Sequence, residues 1–144
     1  MRLLVSACLL GVCCRYDGCG KENAAVTALS EKCEVVPVCP EQLGGLPTPR
    51  IPCERSGDSV IAADGSNRTE AYLRGAEEAF KLYRLTGCDA ALLKARSPMC
   101  GRDSVYDGTF SRKLIPGSGV LAEKLLQNGI RVYTEEDLPG EIST

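Results

Sequence analysis

A chain of 144 residues, 44% hydrophobic and 25% charged, is long enough to bury its own core and too apolar to stay disordered. A formal net charge of -2 and a pI near 5.3 argue against a surface built to grip many phosphates, and with aromatics at 5% and no Trp the chain is poorly supplied with base-stacking platforms. His is absent, which removes the commonest acid/base residue, the usual Ser or Cys triad and every His-containing zinc site, so chemistry has to come from Cys, carboxylates, Ser, Tyr, Lys or Arg.

Leu3 to Ala7 is an apolar run that reads as a buried strand. Cys8, Cys13, Cys14 and Cys19 follow it, crowded around the turn Arg15-Tyr16-Asp17-Gly18. Val5-Ser6-Ala7-Cys8 fits the small-residue-then-Cys pattern of a lipoprotein cleavage site, but Met1 to Leu4 are too few for a charged and an apolar leader. The run is also too short to span a bilayer. The expected setting is the reducing cytoplasm, where nine cysteines, an odd count, are more often ligands or catalysts than disulfides.

Asn23 is placed to cap a helix over Ala24 to Lys32, and Glu34 to Val38 is the next strand, ending at Cys39-Pro40-Glu41. Gln42 to Arg50, with two glycines and two prolines, is a loop. Ile51 to Glu54 and Ser59 to Ala62 flank Ser56-Gly57-Asp58 as a hairpin. A long helix runs from about Arg68 to Leu85, with Ala71, Leu73, Ala76, Phe80, Leu82 and Tyr83 as its apolar face and Gly87 closing it. Ala90 to Lys94 is a third buried strand, followed by a loop through Tyr106-Asp107-Gly108, a helix over Val120 to Gln127, and a last strand at Ile130 to Tyr133. The expected fold class is α/β: one domain over residues 1–144, with a mostly parallel sheet, Rossmann-like β-α-β crossovers and a small β-hairpin insertion. The functional crevice of such a sheet lies at the carboxyl ends of its strands.

That geometry sorts the thiols. Cys8, Cys39 and Cys100 each follow an apolar strand, so strands distant in sequence can bring them to one crevice. Cys33 and Cys88 precede strands and belong to the opposite edge, as small buried hydrophobes. Cys13, Cys14, Cys19 and Cys53 lie in loops on the active side, Cys14 being the leading reserve ligand. Converging thiolates can hold zinc, an iron-sulfur cluster or a redox dithiol, or be plain buried thiols. Paired C-x-x-C knuckles are missing, which speaks against structural zinc and a thioredoxin-like motif. Widely spaced single cysteines suit a cluster with one iron left open. Glu41, two residues after Cys39, is a candidate acid/base, or else pairs with Arg50 or Arg96. Ser97, three before Cys100, is a second candidate, or else fixes the turn before Pro98. Arg15, Arg50, Arg96 and Arg102 near the crevice are able to meet a phosphate.

The segments SACLLGVCCRYDG, VCPEQLGGLPTPR, LLKARSPMCG, YDGTF and IPGSGVLAEKLLQNGIRV, in this order and nearly end to end, resemble the DUF523 family of small bacterial proteins. Characterised members of that family are iron-sulfur thiouracil desulfidases. The resemblance implies a 4Fe-4S cluster bound by Cys8, Cys39 and Cys100 with one open iron, Glu41 as acid/base and Ser97 assisting. The implied reaction is non-redox removal of sulfur from 2- or 4-thiouracil or a related thiocarbonyl. A small thiolated nucleobase or nucleoside is the expected partner, favoured over a modified transfer RNA, and no membrane is involved. The competing readings are an iron-sulfur or sulfur carrier without turnover and a zinc-binding interaction module.

Overall fold

A computed structural model describes residues 1–139 of the chain. Four parallel strands make the central sheet: β1 (Arg2–Ser6), β2 (Glu34–Val38), β5 (Ala90–Leu93) and β8 (Val132–Thr134), in the order β2-β1-β5-β8. The remaining strands form two antiparallel ribbons, β3 (Cys53–Ser56) with β4 (Ser59–Ala62) and β6 (Ser104–Tyr106) with β7 (Leu114–Pro116). The α/β class and the parallel sheet are as expected. The second ribbon is not, because the Tyr106-Asp107-Gly108 turn reads as an isolated loop until Leu114–Pro116 is seen to return beside β6.

Both faces of the sheet are covered, as a parallel sheet requires. Alternate residues divide between them: Leu4, Ala91 and Leu93 pack on one side with α3 (Thr69–Leu85) and α4 (Val120–Gln127), and Leu3, Val5 and Leu92 on the other with α1 (Ala24–Leu29). These leucines are fully buried, and each such side chain stabilises by about 1.5–3 kcal/mol. Pro37, which cannot donate to a ladder, is tolerated because β2 is an edge strand.

Several boundaries differ from the expectation, including β3 (Cys53–Ser56, against Ile51 to Glu54) and β8 (Val132–Thr134, against Ile130 to Tyr133). β1 stops at Ser6 and passes into a 3-10 turn, Ala7–Leu10, ended by Gly11 at φ 93. α1 is capped by Asn23, whose Oδ1 accepts from the amides of Ala25 and Val26, but it ends at Leu29. Part of the expected loop is a one-turn helix, α2 (Pro40–Leu43), with Pro40 at its first position. The buried face of α3 also shifts, to Tyr72, Gly75, Ala76, Ala79 and Tyr83, leaving Leu73 56% exposed. Small residues prevail there because α2 presses directly on this helix, with Cβ positions on Gly44 and Gly75 already filled by neighbouring carbonyls. Among the described residues no helix is long and apolar enough to cross a membrane.

Candidate active site

β1 sends its chain to β2 on one side, while β5 and β8 lie on the other, so the topological switch falls at the carboxyl ends of β1 and β5. A cavity of about 410 Å³ opens there. Cys8 enters it from the 3-10 turn after β1, Cys39 from the end of β2, and Ser97 and Cys100 from the loop after β5. Each approach is held by close backbone packing. Gly119 precedes α4, where a Cβ would lie 2.4 Å from the Met99 carbonyl carbon and 2.7 Å from the Cys100 nitrogen. Met99 is fully buried in the core beneath the loop.

Cys14 lines the same cavity, its carbonyl oxygen 3.6 Å from the Cys39 sulfur. The neighbouring Cys39 thiol lowers its pKa, but the Cys8 thiol, together with burial, outweighs this and pushes it up to about 11. Cys39 is held far above the ordinary thiol range by the neighbouring Cys14 thiol and by burial. Burial pushes Cys100 up as well, against hydrogen bonds from Ser6 and Ser97. Without metal these thiols keep their protons, and binding a metal ion would displace them.

Glu41 extends from α2 with Oε1 4.0 Å from the Cys39 sulfur. Its Oε2 is 3.7 Å from the Arg50 guanidinium, the two side chains being 15% and 8% exposed. Burial pushes the Glu41 carboxyl up and Arg50 pulls it back, with burial the stronger influence. Ser97 Oγ accepts from the amides of Met99 and Cys100, both at 3.1 Å, so its lone pairs are used and its single O–H is left for the Cys100 sulfur or the cavity.

This donor set suits a cluster better than a single ion. Among the described residues no group of three or more Cys, Asp or Glu side chains is placed to hold one metal ion together, whereas a cluster takes one thiolate per iron and spreads its ligands around a cavity. Soft thiolates select such a group. The wall adds Arg15, Lys21, Arg50, Lys94 and Arg96, of which Arg15, Arg50, Lys94 and Arg96 are paired with Asp17, Glu41, Glu135 and Glu136.

All five candidate residues, Cys8, Cys39, Cys100, Glu41 and Ser97, therefore line one cavity. Cys14 and Cys53 line it too, while Cys13 and Cys19 are exposed. Cys33 and Cys88 lie at the other end of the sheet, bonded to the Leu29 carbonyl and to Thr86. Glu41 takes Arg50 as its partner, and Arg96 pairs with Glu136 instead. Arg102 does not reach the crevice: it binds the Val132 carbonyl and Asp137. Two wall residues escape sequence reasoning. Ser6 ends β1, with Oγ accepting from the Lys94 amide at 2.9 Å, and Tyr72 on α3 lines the cavity together with Cys53. Neither carries a local signal, since only the packing of β5 and α3 turns them toward the site.

A family model described as 2-thiouracil desulfurase matches residues 3–137. The chain is 39% identical over 146 aligned positions to the uncharacterized protein YbbK of Bacillus subtilis (strain 168), a match covering 94% of this chain and 97% of that one. It is also similar to a solved structure of a 4Fe-4S-dependent thiouracil desulfidase, TudS, with 41% identity and a TM-score of 0.91, covering 99% of this chain and 95% of the other.

Proposed function

The chain belongs to the 2-thiouracil desulfurase family, and we propose that it is a 4Fe-4S-dependent, non-redox desulfidase converting the C=S of a thiolated pyrimidine to C=O. What supports this most is that Cys8, Cys39 and Cys100 share one cavity with Glu41 and Ser97. Those three cysteines would hold the cluster and leave one iron without a protein ligand. When bound, the cluster supplies a Lewis acid able to polarise a thiocarbonyl.

The chain's own groups do the rest. Glu41, in a desolvated setting that favours proton exchange, takes a proton from the water that attacks the ring carbon and returns one to a ring nitrogen or the departing sulfur. Ser97 orients that water or the substrate through its O–H. The net change is C=S plus water to C=O plus hydrogen sulfide, with no electron gained or lost. A cavity of about 410 Å³ and a net charge of -2 favour a free base or nucleoside over a modified transfer RNA.

Anaerobic purification with iron and acid-labile sulfide analysis, followed by assay of 2- and 4-thiouracil for sulfide release, tests the proposal. A bound cluster and released sulfide are expected. A cluster without turnover would make the protein a carrier. Colourless, zinc-containing protein free of acid-labile sulfide would make it a zinc-binding module.

A further inference from the structure

One polar side chain in the cavity wall has no role in the scheme above. Tyr72, on the buried face of α3, is 2% exposed and lines the cavity with Cys53, Glu41 and Arg50. Two backbone contacts fix its position. A Cβ on Gly44 would meet the Ala71 carbonyl oxygen, and one on Gly75 the Pro40 carbonyl oxygen, each at 2.0 Å, so α2 grips α3 on either side of residue 72. Glu41 rides on α2, and the phenol is thereby set beside the acid/base candidate.

A buried tyrosine hydroxyl ordinarily finds a hydrogen-bond partner in the protein. Among the described residues no nitrogen or oxygen supplies one to Tyr72. Beside it is only the Cys53 sulfur, a weak acceptor whose own S–H goes to the Ile51 carbonyl at 3.7 Å. The hydroxyl is not sealed in either, since the one enclosed side-chain nitrogen or oxygen without a partner among these residues is Arg102 Nε. Its O–H therefore opens on the cavity, free for an acceptor on the guest.

We infer that Tyr72 binds the substrate, donating its O–H to the ring carbonyl that stands one ring nitrogen away from the reacting thiocarbonyl. The inference rests on the desulfidase reading given under the proposed function. A thiolated pyrimidine carries two acceptors outside its ring. The thiocarbonyl belongs at the reacting end, with Cys8, Cys39, Cys100, Glu41 and Ser97, and the carbonyl is the acceptor left over. In 2-thiouracil and 4-thiouracil alike it lies across one nitrogen from the sulfur, so a single fixed donor serves both. The contact is the same before and during reaction, and it therefore lowers KM without changing kcat.

Wild type and Tyr72→Phe are reconstituted anaerobically and assayed for sulfide release from 2- and 4-thiouracil and from pyrimidine-2-thione and pyrimidine-4-thione, which lack the carbonyl. Phe deletes only the hydroxyl, and the variant is expected to keep the iron content and thermal midpoint of wild type. Its kcat/KM for both thiouracils should fall on the order of 10-fold, through KM, while that for the two thiones stays at the wild-type value. Wild type should itself discriminate against the thiones in KM by a similar factor, a comparison that needs no variant. An unchanged KM for thiouracil in Tyr72→Phe, or wild type treating thiones and thiouracils alike in KM, overturns the inference while leaving the functional proposal standing. An equal loss on all four substrates, or a fall in iron content or midpoint, also overturns it, since the hydroxyl would then serve the fold. Wild type that releases no sulfide from any of the four overturns both.

Discussion

Gly75 on α3 and Pro40 on α2 touch backbone to backbone: a Cβ on Gly75 would meet the Pro40 carbonyl oxygen at 2.0 Å. The contact is mutual, since a Cβ on Gly44 would come within 2.0 Å of the Ala71 carbonyl oxygen. α2 is a single turn with Cys39 as its N-cap and Glu41 in its first turn, so a cluster-ligand candidate and the acid/base candidate ride on this glycine contact.

Gly75→Ala is expected to push α2 off α3 and carry Cys39 and Glu41 with it. Overpacking of this kind costs about 1–3 kcal/mol. Thermal unfolding should show a lowered midpoint, and reconstituted protein a lowered iron content. A variant matching wild type in both would mean that α2 is not held by this contact.

Substitution of the thiols should divide them by the edge of the sheet they occupy. Cys8→Ala, Cys39→Ala and Cys100→Ala are each expected to impair cluster retention, measured as iron and labile sulfide per chain. Cys33→Ala and Cys88→Ala, at the opposite edge, are expected to retain it. Full occupancy in Cys39→Ala would remove that strand end from the site.

Glu41→Gln keeps the shape of the side chain and removes its proton chemistry. Arg50 loses its counter-charge but still donates to the Pro47 carbonyl and Thr48 Oγ1, both at 3.1 Å, so its guanidinium keeps hydrogen-bond acceptors. Iron and sulfide content should hold while sulfide release from thiouracil falls by about 10²–10⁴-fold, the usual worth of a general acid/base. Undiminished turnover would exclude Glu41 from the reaction.

Glu135 braces the loop after β5, accepting from the Ala95 amide at 2.7 Å and from Lys94 Nζ at 2.8 Å. Burial pushes its carboxyl up, but the Lys94 ammonium and the Ala95 amide outweigh that and leave it below its ordinary value of 4.5. A carboxyl with a depressed folded-state pKa stabilises above its unfolded pKa and loses that contribution as pH falls through the folded one. Glu135→Gln should therefore destabilise by on the order of 1–3 kcal/mol near neutral pH. The gap between wild type and variant in urea unfolding should narrow as pH falls from about 6 to about 3. A gap constant with pH would show that the carboxylate charge is not what braces the loop.

Much of the fold was legible because its signals are local. Asn23 announces α1, the apolar runs at Leu3 and Ala90 announce β1 and β5, and Gly129, at φ 73, marks the end of α4. The strand-end rule also predicted that Cys8, Cys39 and Cys100 would share a crevice, and all three line one cavity. What escaped has no local signal. β7 is a strand only because β6 pairs with it, and the buried face of α3 is chosen by α2 and not by the helix's own largest apolar residues.

Cysteines 13 and 14 mark where the two kinds of information part. Strand-end position alone determined that thiols at residues 8, 39 and 100 lie at the cavity edge of the sheet and those at 33 and 88 at the other, because a parallel sheet points every strand the same way. For adjacent loop cysteines no periodicity says which faces inward. Only the tertiary structure decided that Cys13 faces water and Cys14 the ligand candidates, because the loop's direction is set by backbone bonds to Ala7 and Cys8 and by the close approach of Gly20 to Gly11.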